Sequence, residues 1–549
     1  MNINDILKHI NLSTLKDNLK SAFNSLINLI EELSSENRRL KEQIQRLRDE
    51  NNRLKGEQGK PDIKADTKKS NDISSEKDRN RKKSLNKKRN KRSKITDIKI
   101  DRTQKCSIDK DKLPKDVIFK GYKRVIVQDI TIHTDNIEFK KEIYYSPSEK
   151  KTYIAPLPNG YDGEFGPTIK GLAIILKNIC NMSESKIYDF FSHVGIFISI
   201  GKISNILIKD HQQFHQEKTD IVAAGLQTTI YQATDDTKAR VNGQNYHTHI
   251  LGNLYYTAYF TERQKNRLTV LNVLTNGKEL SYCLNEHALT IIKQLIISKK
   301  HFKQLEQLKS ENIFNQHEFE HLMLHHFSES GEQVKSKISE AAAIAAYRKG
   351  ADHLRVKALL CDDAPQFKLI CEMLALCWVH DGRHYKKLRP VYKYNATTVT
   401  TFLKKYWNYY HQLLDYKKAP NNEAAQKLSD EFDHLFSTVT GYNDLDERIS
   451  KTLQKKDHLL LVLQYPEIPL HNNDMELGAR VCVRKRDVSL HTMTDDGTRA
   501  NDTFLTIVQT CKKLEVNPFY YIMDRIKGTY NMPSLALTIK RKHEARCLA

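Results

Sequence analysis

No run of eighteen apolar residues occurs in this chain, so no segment reads as a membrane span. Its first residues, MNINDILKHINLS, lack the basic-then-apolar layout of a secretory signal. Cysteine is sparse, nine residues scattered and odd in number, which argues against a disulfide framework and for reduced thiols in a cytoplasm. Motifs of the serine hydrolases, the P-loop and the dinucleotide-binding turn are missing too. One internal stretch, residues 79–94, has no acidic side chain at all.

What is present is positive charge. The 549 residues carry 89 Lys and Arg against 67 Asp and Glu, a formal net charge of +22. That excess points to polyanionic partners, most simply nucleic acid. With 39% hydrophobic residues there is material for several cores, and the length allows three or four domains.

Along the chain the composition changes sharply. Leucines at 12, 19, 26, 33, 40, 47 and 54 form a seven-residue repeat, with Phe23, Ile30, Asn37, Ile44 and Asn51 at the companion positions. Leucine at d with isoleucine and occasional asparagine at a favours a parallel two-stranded coiled coil over 1–57 and hence a homodimer or higher oligomer. The bland alternative is a long helix packed on its own protein. Residues 58–98 have almost nothing to bury and read as a disordered basic linker. Within it, RNRKKSLNKKRNKRSK (79–94) includes Arg79, Lys82, Lys83, Lys87, Lys88, Arg89, Lys91 and Arg92, a block suited to phosphates without reading sequence, whose grip falls steeply with salt. Residues 99–165, with YKRVIVQDITIHT and FKKEIYYS, read as a small antiparallel β module. The stretch 166–215 reads as a helix-turn-helix, capped near Ser183 and Ser199, with its turn at Gly195 and Lys202 on the second helix.

Carboxylates come next. The run LQTTIYQATDDTKARVNG (226–243) ends a β-rich segment in Asp235-Asp236, and VKALLCDDAPQF (356–367) does the same with Asp362-Asp363. Two more β-rich runs, YHTHILGNLYYTAYF and RLTVLNVL, follow the first, as in three antiparallel strands. Glu476, in HNNDMELGAR (471–480), is a third acid, on a helix. Aspartates at strand ends can share one cleft, and three carboxylates suit two divalent cations. Magnesium takes hard oxygen ligands, and two ions about 4 Å apart serve phosphodiester displacement. Each pair alone is also what a turn or a helix cap looks like.

The whole pattern resembles the insertion-sequence-66 family of DDE transposases. The first motif is matched by Asp235-Asp236-Thr237 with Arg240-Val241-Asn242-Gly243, the second by Asp362. A Cys-Trp-x-His stretch is matched by Cys377-Trp378-Val379-His380, with Arg383 and Lys386-Lys387. The glutamate block is matched by Asn472-Asn473, Glu476, Arg480 and Arg484-Lys485. The likeness covers roughly 165–530. It implies Asp235, Asp362 and Glu476 as catalytic residues holding two divalent ions, Mg2+ with Mn2+ able to substitute. It also implies Arg480, Arg484 and Lys485 on DNA phosphates, Cys377 and His380 in support, and a bacterial, nucleoid-associated enzyme. The reaction would be cleavage of transposon ends and strand transfer into target DNA.

Three features depart from the family. Residues 99–165 contain only Cys106, so no cysteine-based zinc site can form there. Leu477 stands where the family has arginine, and Asp236 where it has glutamate. Cys371, Cys377, His380 and His384 could suggest zinc, with packing beside the site as the plainer reading.

The expected fold class is α/β: a ribonuclease-H-like core (220–394 and 466–530) with an all-α insertion (395–465) and a basic tail (531–549). The insertion's KKYWNYYHQ is read either as a DNA contact or as a Tyr-rich core stripe. A rival function from another class is a non-catalytic zipper and helix-turn-helix regulator with a decayed catalytic domain.

Overall fold

The leucine repeat forms one long helix, α1 (Asp17–Leu54). Its seam residues Leu19, Leu26, Leu33, Leu40 and Leu47 stay 47–60% exposed. A different face, through Ile27, Asn28 and Glu31, docks on the chain's own helical insertion. The computed structural model describes residues 17–54, 99–350 and 355–548 except 110, 112, 113, 115, 116, 159 and 162. The linker and its basic block from Arg79 to Lys94 therefore lie outside the described residues, as does Leu12.

The β module expected over 99–165 takes the form of a single hairpin, β1 (Ile143–Ser146) and β2 (Lys151–Ile154), paired antiparallel with Ile143 opposite Ile154. YKRVIVQDITIHT forms no strand, and Val125, Val127 and Ile130 are 72–80% exposed. Strand propensity reports how well a side chain fits a half-buried pleated surface, and here no such surface is offered.

Four helices follow: α2 (Pro167–Asn178), α3 (Glu184–His193), α4 (Ile200–Ile208) and α5 (Gln212–Leu226). Ser183 and Ser199 cap α3 and α4, each side chain accepting the N–H three residues on. Between them Gly195 has φ +82°, a left-handed turn that favours glycine.

The central sheet has five strands: β3 (Tyr231–Val241), β4 (Gln244–Gly252), β5 (Thr257–Glu262), β6 (Ala358–Cys361) and β7 (Met373–Leu376). Their order is β5-β4-β3-β6-β7, antiparallel across β5, β4 and β3 and parallel across β3, β6 and β7. YHTHILGNLYYTAYF supplies both β4 and β5, whereas RLTVLNVL is not the strand it resembles. It is helix α6 (Arg267–Leu274), started by Asn266, whose side chain accepts the Thr269 N–H. Short apolar runs do not distinguish strand from buried helix, and the asparagine cap decides here. Helices α7 (Glu286–Leu295), α8 (Lys299–Gln307), α9 (Gln316–Phe327) and α10 (Glu332–Lys349) complete this half.

After β7 comes α11 (Trp378–Lys386), then the helical insertion α12 (Lys393–Tyr416), α13 (Asn422–Phe436), α14 (Asn443–Leu453) and α15 (Lys456–Leu459). Its tyrosines are core: Tyr406, Tyr409 and Tyr410 are at most 1% exposed. The Trp378 ring lies 5.5 Å from Tyr406 and 5.6 Å from Tyr409, and its Nε1 donates to the Leu459 carbonyl at 2.8 Å. Beneath it, Asp381 is buried, paired with Arg448 and accepting from Thr452 Oγ1 at 2.9 Å. The insertion is thus the bed on which α11 rests. The chain closes with α16 (Asn473–Ser489), α17 (Asp495–Lys513), α18 (Pro518–Ile526) and α19 (Leu535–Cys547). Helix α16 lies on β3 and β4, and α17 on β5. No helix among the described residues is long and apolar enough to cross a membrane.

Candidate active site

Strand register brings the two aspartate pairs together. In the parallel pairing Tyr231 faces Ala358 and Ala233 faces Leu360. The same offset, continued past the ends of the ladder, sets Asp235 beside Asp362. Successive strand residues point to opposite faces. Asp235 is paired with Ile250, against which Gly478 of α16 packs, so Asp235 faces that helix. Asp236 takes the other face, where Gln366 Nε2 donates to it at 2.8 Å and Lys265 Nζ lies 3.5 Å away.

Asp362 and Asp363 divide in the same way. Asp362 Oδ1 accepts the Ala364 N–H at 3.1 Å. Asp363 is ion-paired with Lys368 at 2.8 Å and Lys455 at 2.6 Å. Burial works against it, yet these lysines hold its carboxyl below the usual range. Asp235 and Asp362 have no such cation among the described residues.

The glutamate arrives on α16. Asn472, just before the helix, donates from Nδ2 to the Thr234 carbonyl at 2.7 Å and from its backbone to Cys377 Sγ at 3.3 Å. The helix start is thereby pinned one residue from Asp235. Close approach to the sheet needs Gly478: a Cβ there would sit 3.0 Å from Ile250 Cγ2 and 3.3 Å from Tyr259 Oη. Glu476, in the first turn, receives Arg383 Nη2 at 2.8 Å and lies 3.6 Å from His380 Nδ1.

Electrostatics ties these groups into one cluster. Burial first, and then the charges of Asp362, Asp236 and Glu476, push the Asp235 carboxyl up to about 7 against the lowering effect of the Asp236 N–H. His380 feels both Glu476 and Asp362, but burial and Arg383 push it down, so the ring is neutral near pH 7. Arg383 Nη1 lies 2.9 Å from Nε2, and because it can only donate, the ring proton belongs on Nδ1, facing Glu476.

Cys377, His380 and Glu476 offer ligand atoms within 4.8 Å of one another. Zinc would need a thiolate, and burial pushes the Cys377 thiol up to about 11, while its sulfur accepts the Asn472 N–H. Its backbone N–H donates to the Cys361 carbonyl at 3.0 Å, next to Asp362. Cys377 thus joins β6, α11 and α16.

The basic residues on α16 separate. Glu476, Arg480 and Arg484 share one side at four-residue spacing, with Arg480 half-buried and Arg484 exposed. Lys485 is buried on the opposite side and donates to Asn178 Oδ1 at 2.6 Å. Lys202, on α4, is half-buried and away from this cluster. Arg383 stood in the sequence stretch that resembles the family, without a mark of its own. Lys265 and Lys455, which neutralise Asp236 and Asp363, carried none at all, because each lies far along the chain from its aspartate.

Residues 358–500 match the model described as Transposase IS66 family, a span that includes Asp362 and Glu476. A relative named as the uncharacterized protein y4jO, from Sinorhizobium fredii, is 32% identical over 304 residues, 55% of this chain and 94% of that protein. The family match reaches the strand after which Asp362 stands and the helix that bears Glu476, while β3 with Asp235 lies ahead of it, and the chain belongs to the IS66 family of transposases.

Proposed function

We propose that this chain is a DDE transposase that cleaves transposon ends and joins them to target DNA, with Asp235, Asp362 and Glu476 as its catalytic carboxylates. The observation that carries this reading is the sorting of the acids. Asp236 and Asp363 are neutralised by lysines of the protein, whereas Asp235 and Asp362 are left to one another and to Glu476. Half-buried like charges, two of them without a protein cation, are what a site for added cations requires. The strand order, with β3 at the centre, antiparallel to β4 and parallel to β6, supports a ribonuclease-H-like core.

Three carboxylates of this kind fit magnesium, or manganese in its place, by their hard oxygen donors. The ions, when bound, would activate the attacking water or 3′-hydroxyl and stabilise the leaving oxygen. The chain's own groups prepare for this. Asp235, which burial and the neighbouring acids push up to about 7, must lose its proton to serve as a ligand. Arg383 orients Glu476 through its 2.8 Å hydrogen bond, with His380 Nδ1 3.6 Å from the other carboxylate oxygen, and Asn472 keeps the start of α16 against β3. Arg480 and Arg484, continuing the Glu476 side of α16, would position phosphates. Lys202 and the basic block at 79–94 would add contacts to DNA elsewhere, and the leucine seam of α1 would pair two copies. The sorted acids speak against the regulator reading, since a decayed site has no reason to keep two aspartates unpaired.

The test is substitution at each acid, read by cleavage and strand transfer in Mg2+. Asp235→Asn, Asp362→Asn and Glu476→Gln are each expected to lower cleavage by about three orders of magnitude or more, non-additively, with DNA binding retained. Asp236→Asn and Asp363→Asn are expected to reduce it far less. Normal joining by Glu476→Gln would overturn the assignment.

A further inference from the structure

Helix α16 has a second chemical side. Lys485 lies nine residues beyond Glu476, two and a half turns, so it leaves the helix on the opposite face and about 14 Å further along the axis. There it closes the inner end of a cavity of about 310 Å3, bounded by α16, the N-terminal part of α17, the far end of β3 and the helix-turn-helix element α4.

The cavity's inner wall is cationic and only partly satisfied. Lys485 is buried, and among the described residues its one hydrogen-bond acceptor is Asn178 Oδ1, at 2.6 Å. Asn178 Nδ2 donates to the Ile174 carbonyl at 2.9 Å, which fixes the amide with its oxygen toward the lysine. An ammonium has three N–H donors, so two remain for something else. Asp502, whose charge Lys485 also feels, is committed to the Thr261 N–H and hydroxyl at 2.7 and 2.9 Å. Lys177 adds a second ammonium beside it, which donates to Ser489 Oγ at 3.3 Å and lies 3.7 Å from Glu184, itself part of the cavity wall. Burial, and then Lys177, push Lys485 down to about 7, a strain that an anion would relieve.

The outer part is different. Lys238 and Arg240 line it and are exposed, and Leu490 and Met493 are apolar walls 70% and 62% exposed. An anion hole at the inner end with apolar walls outside it selects for shape. An internal phosphodiester reaches the inner end only by dragging two flanking nucleotides with it. A strand terminus enters phosphate first, and a cavity near 300 Å3 is at the small end of ligand sites, enough for one nucleotide.

We propose that this cavity receives the 5′-phosphorylated end of a DNA strand, phosphate inward on Lys485 and Lys177 and the terminal nucleotide against Leu490 and Met493. The inference rests on the reading that the chain cuts DNA. Water attacking phosphorus, with loss of the 3′ oxygen, leaves a 3′-hydroxyl on one fragment and a 5′-phosphate on the other, and the second product needs a place. The phosphomonoester brings close to two negative charges, which Lys485 and Lys177 face together and which can take Lys177 over from its long contact with Glu184.

The experiment measures binding of the full chain to one short DNA, made with a 5′-phosphate or a 5′-hydroxyl, by fluorescence anisotropy. The phosphorylated end is expected to bind about ten-fold tighter or more, from two charge-assisted hydrogen bonds. Lys485→Met, which keeps the volume of a buried side chain, and separately Lys177→Gln at the cavity wall, are expected to erase most of that preference. Equal affinity for the two ends would overturn the proposal, as would a 5′-mononucleotide that binds as tightly as the DNA. Cleavage is read in parallel. Cleavage without end preference sinks the cavity and leaves the triad standing, whereas end preference without cleavage supports the cavity and sinks the triad.

Discussion

At the scale of single residues, partners decide the role. Asp235 and Asp236 are adjacent and chemically identical, yet the pleat of β3 gives one to the acid cluster and the other to Lys265. A similar contrast governs histidine. His215 is half-buried beside His211, Arg499 and Lys218, with Nδ1 2.8 Å from Thr503 Oγ1. Burial, and then Arg499 ahead of His211 and Lys218, push it from 6.5 down to about 4. The unfolded chain takes up this proton near 6.5 and the folded chain only near 4, so between these values the unfolded state binds more protons. Stability contributed by neutral His215 is therefore full above 6.5 and is lost as pH falls toward 4. His215→Gln is expected to flatten that part of the stability–pH curve, measured by thermal melts from pH 7 to 4. An unchanged slope would show that His215 titrates normally.

At the scale of elements, the site depends on how whole segments are anchored. Helix α11 carries His380 and Arg383, and its seat is the aromatic core of the insertion. Helix α1 is anchored in turn to the same insertion. Glu31 is 6% exposed, and its carboxylate accepts the N–H groups of Val391 and Tyr392, at 2.9–3.1 Å, and Asn395 Nδ2 at 3.2 Å, at the start of α12. A carboxylate at a helix N-terminus satisfies orphan donors and suits the helix dipole. Removing it as Glu31→Ala is expected to cost about 1–3 kcal/mol at this contact and to raise amide exchange across 20–34. Because the leucine seam lies on another face, molecular mass is expected to stay the same. Unaltered exchange in α1 would mean that Ile27 and Asn28 hold the helix alone.

At the scale of the whole molecule, α1 is a helix with two apolar faces. One face is docked on its own chain, and the seam of Leu19, Leu26, Leu33, Leu40 and Leu47 is exposed. Five leucines in register on open surface favour pairing, in which Asn37 would set the alignment. A dimer built this way would carry each catalytic unit on a fixed arm. Leu33→Glu with Leu40→Glu keeps helix propensity but charges the seam. Light scattering is expected to fall from a dimer to the 63.8 kDa of one chain. A mass that does not respond would remove the zipper.

Sequence alone determined the parts whose signal is local. The helix that carries the α1 heptad, the serine caps at Ser183 and Ser199, the glycine turn between them, and Asp362-Asp363 just past the end of β6 all depend on near neighbours and were legible. Asp235 and Asp236, expected to end a strand, instead lie inside β3, which runs on to Val241 as it pairs with β4. RLTVLNVL was misread because apolar β-branched residues serve a buried helix as well as a strand, and YKRVIVQDITIHT because propensity cannot supply a partner strand. Tertiary structure decided what rests on distant residues. It sorted Asp235 from Asp236 and Asp362 from Asp363, since Lys265 and Lys455 arrive from other elements. It also turned Lys485 away from Arg480 and Arg484 into a cavity closed by Asn178 and Lys177. Charge and type are written in the chain, but the cation that faces a carboxylate, or the wall that dries a lysine, is set only when remote segments pack.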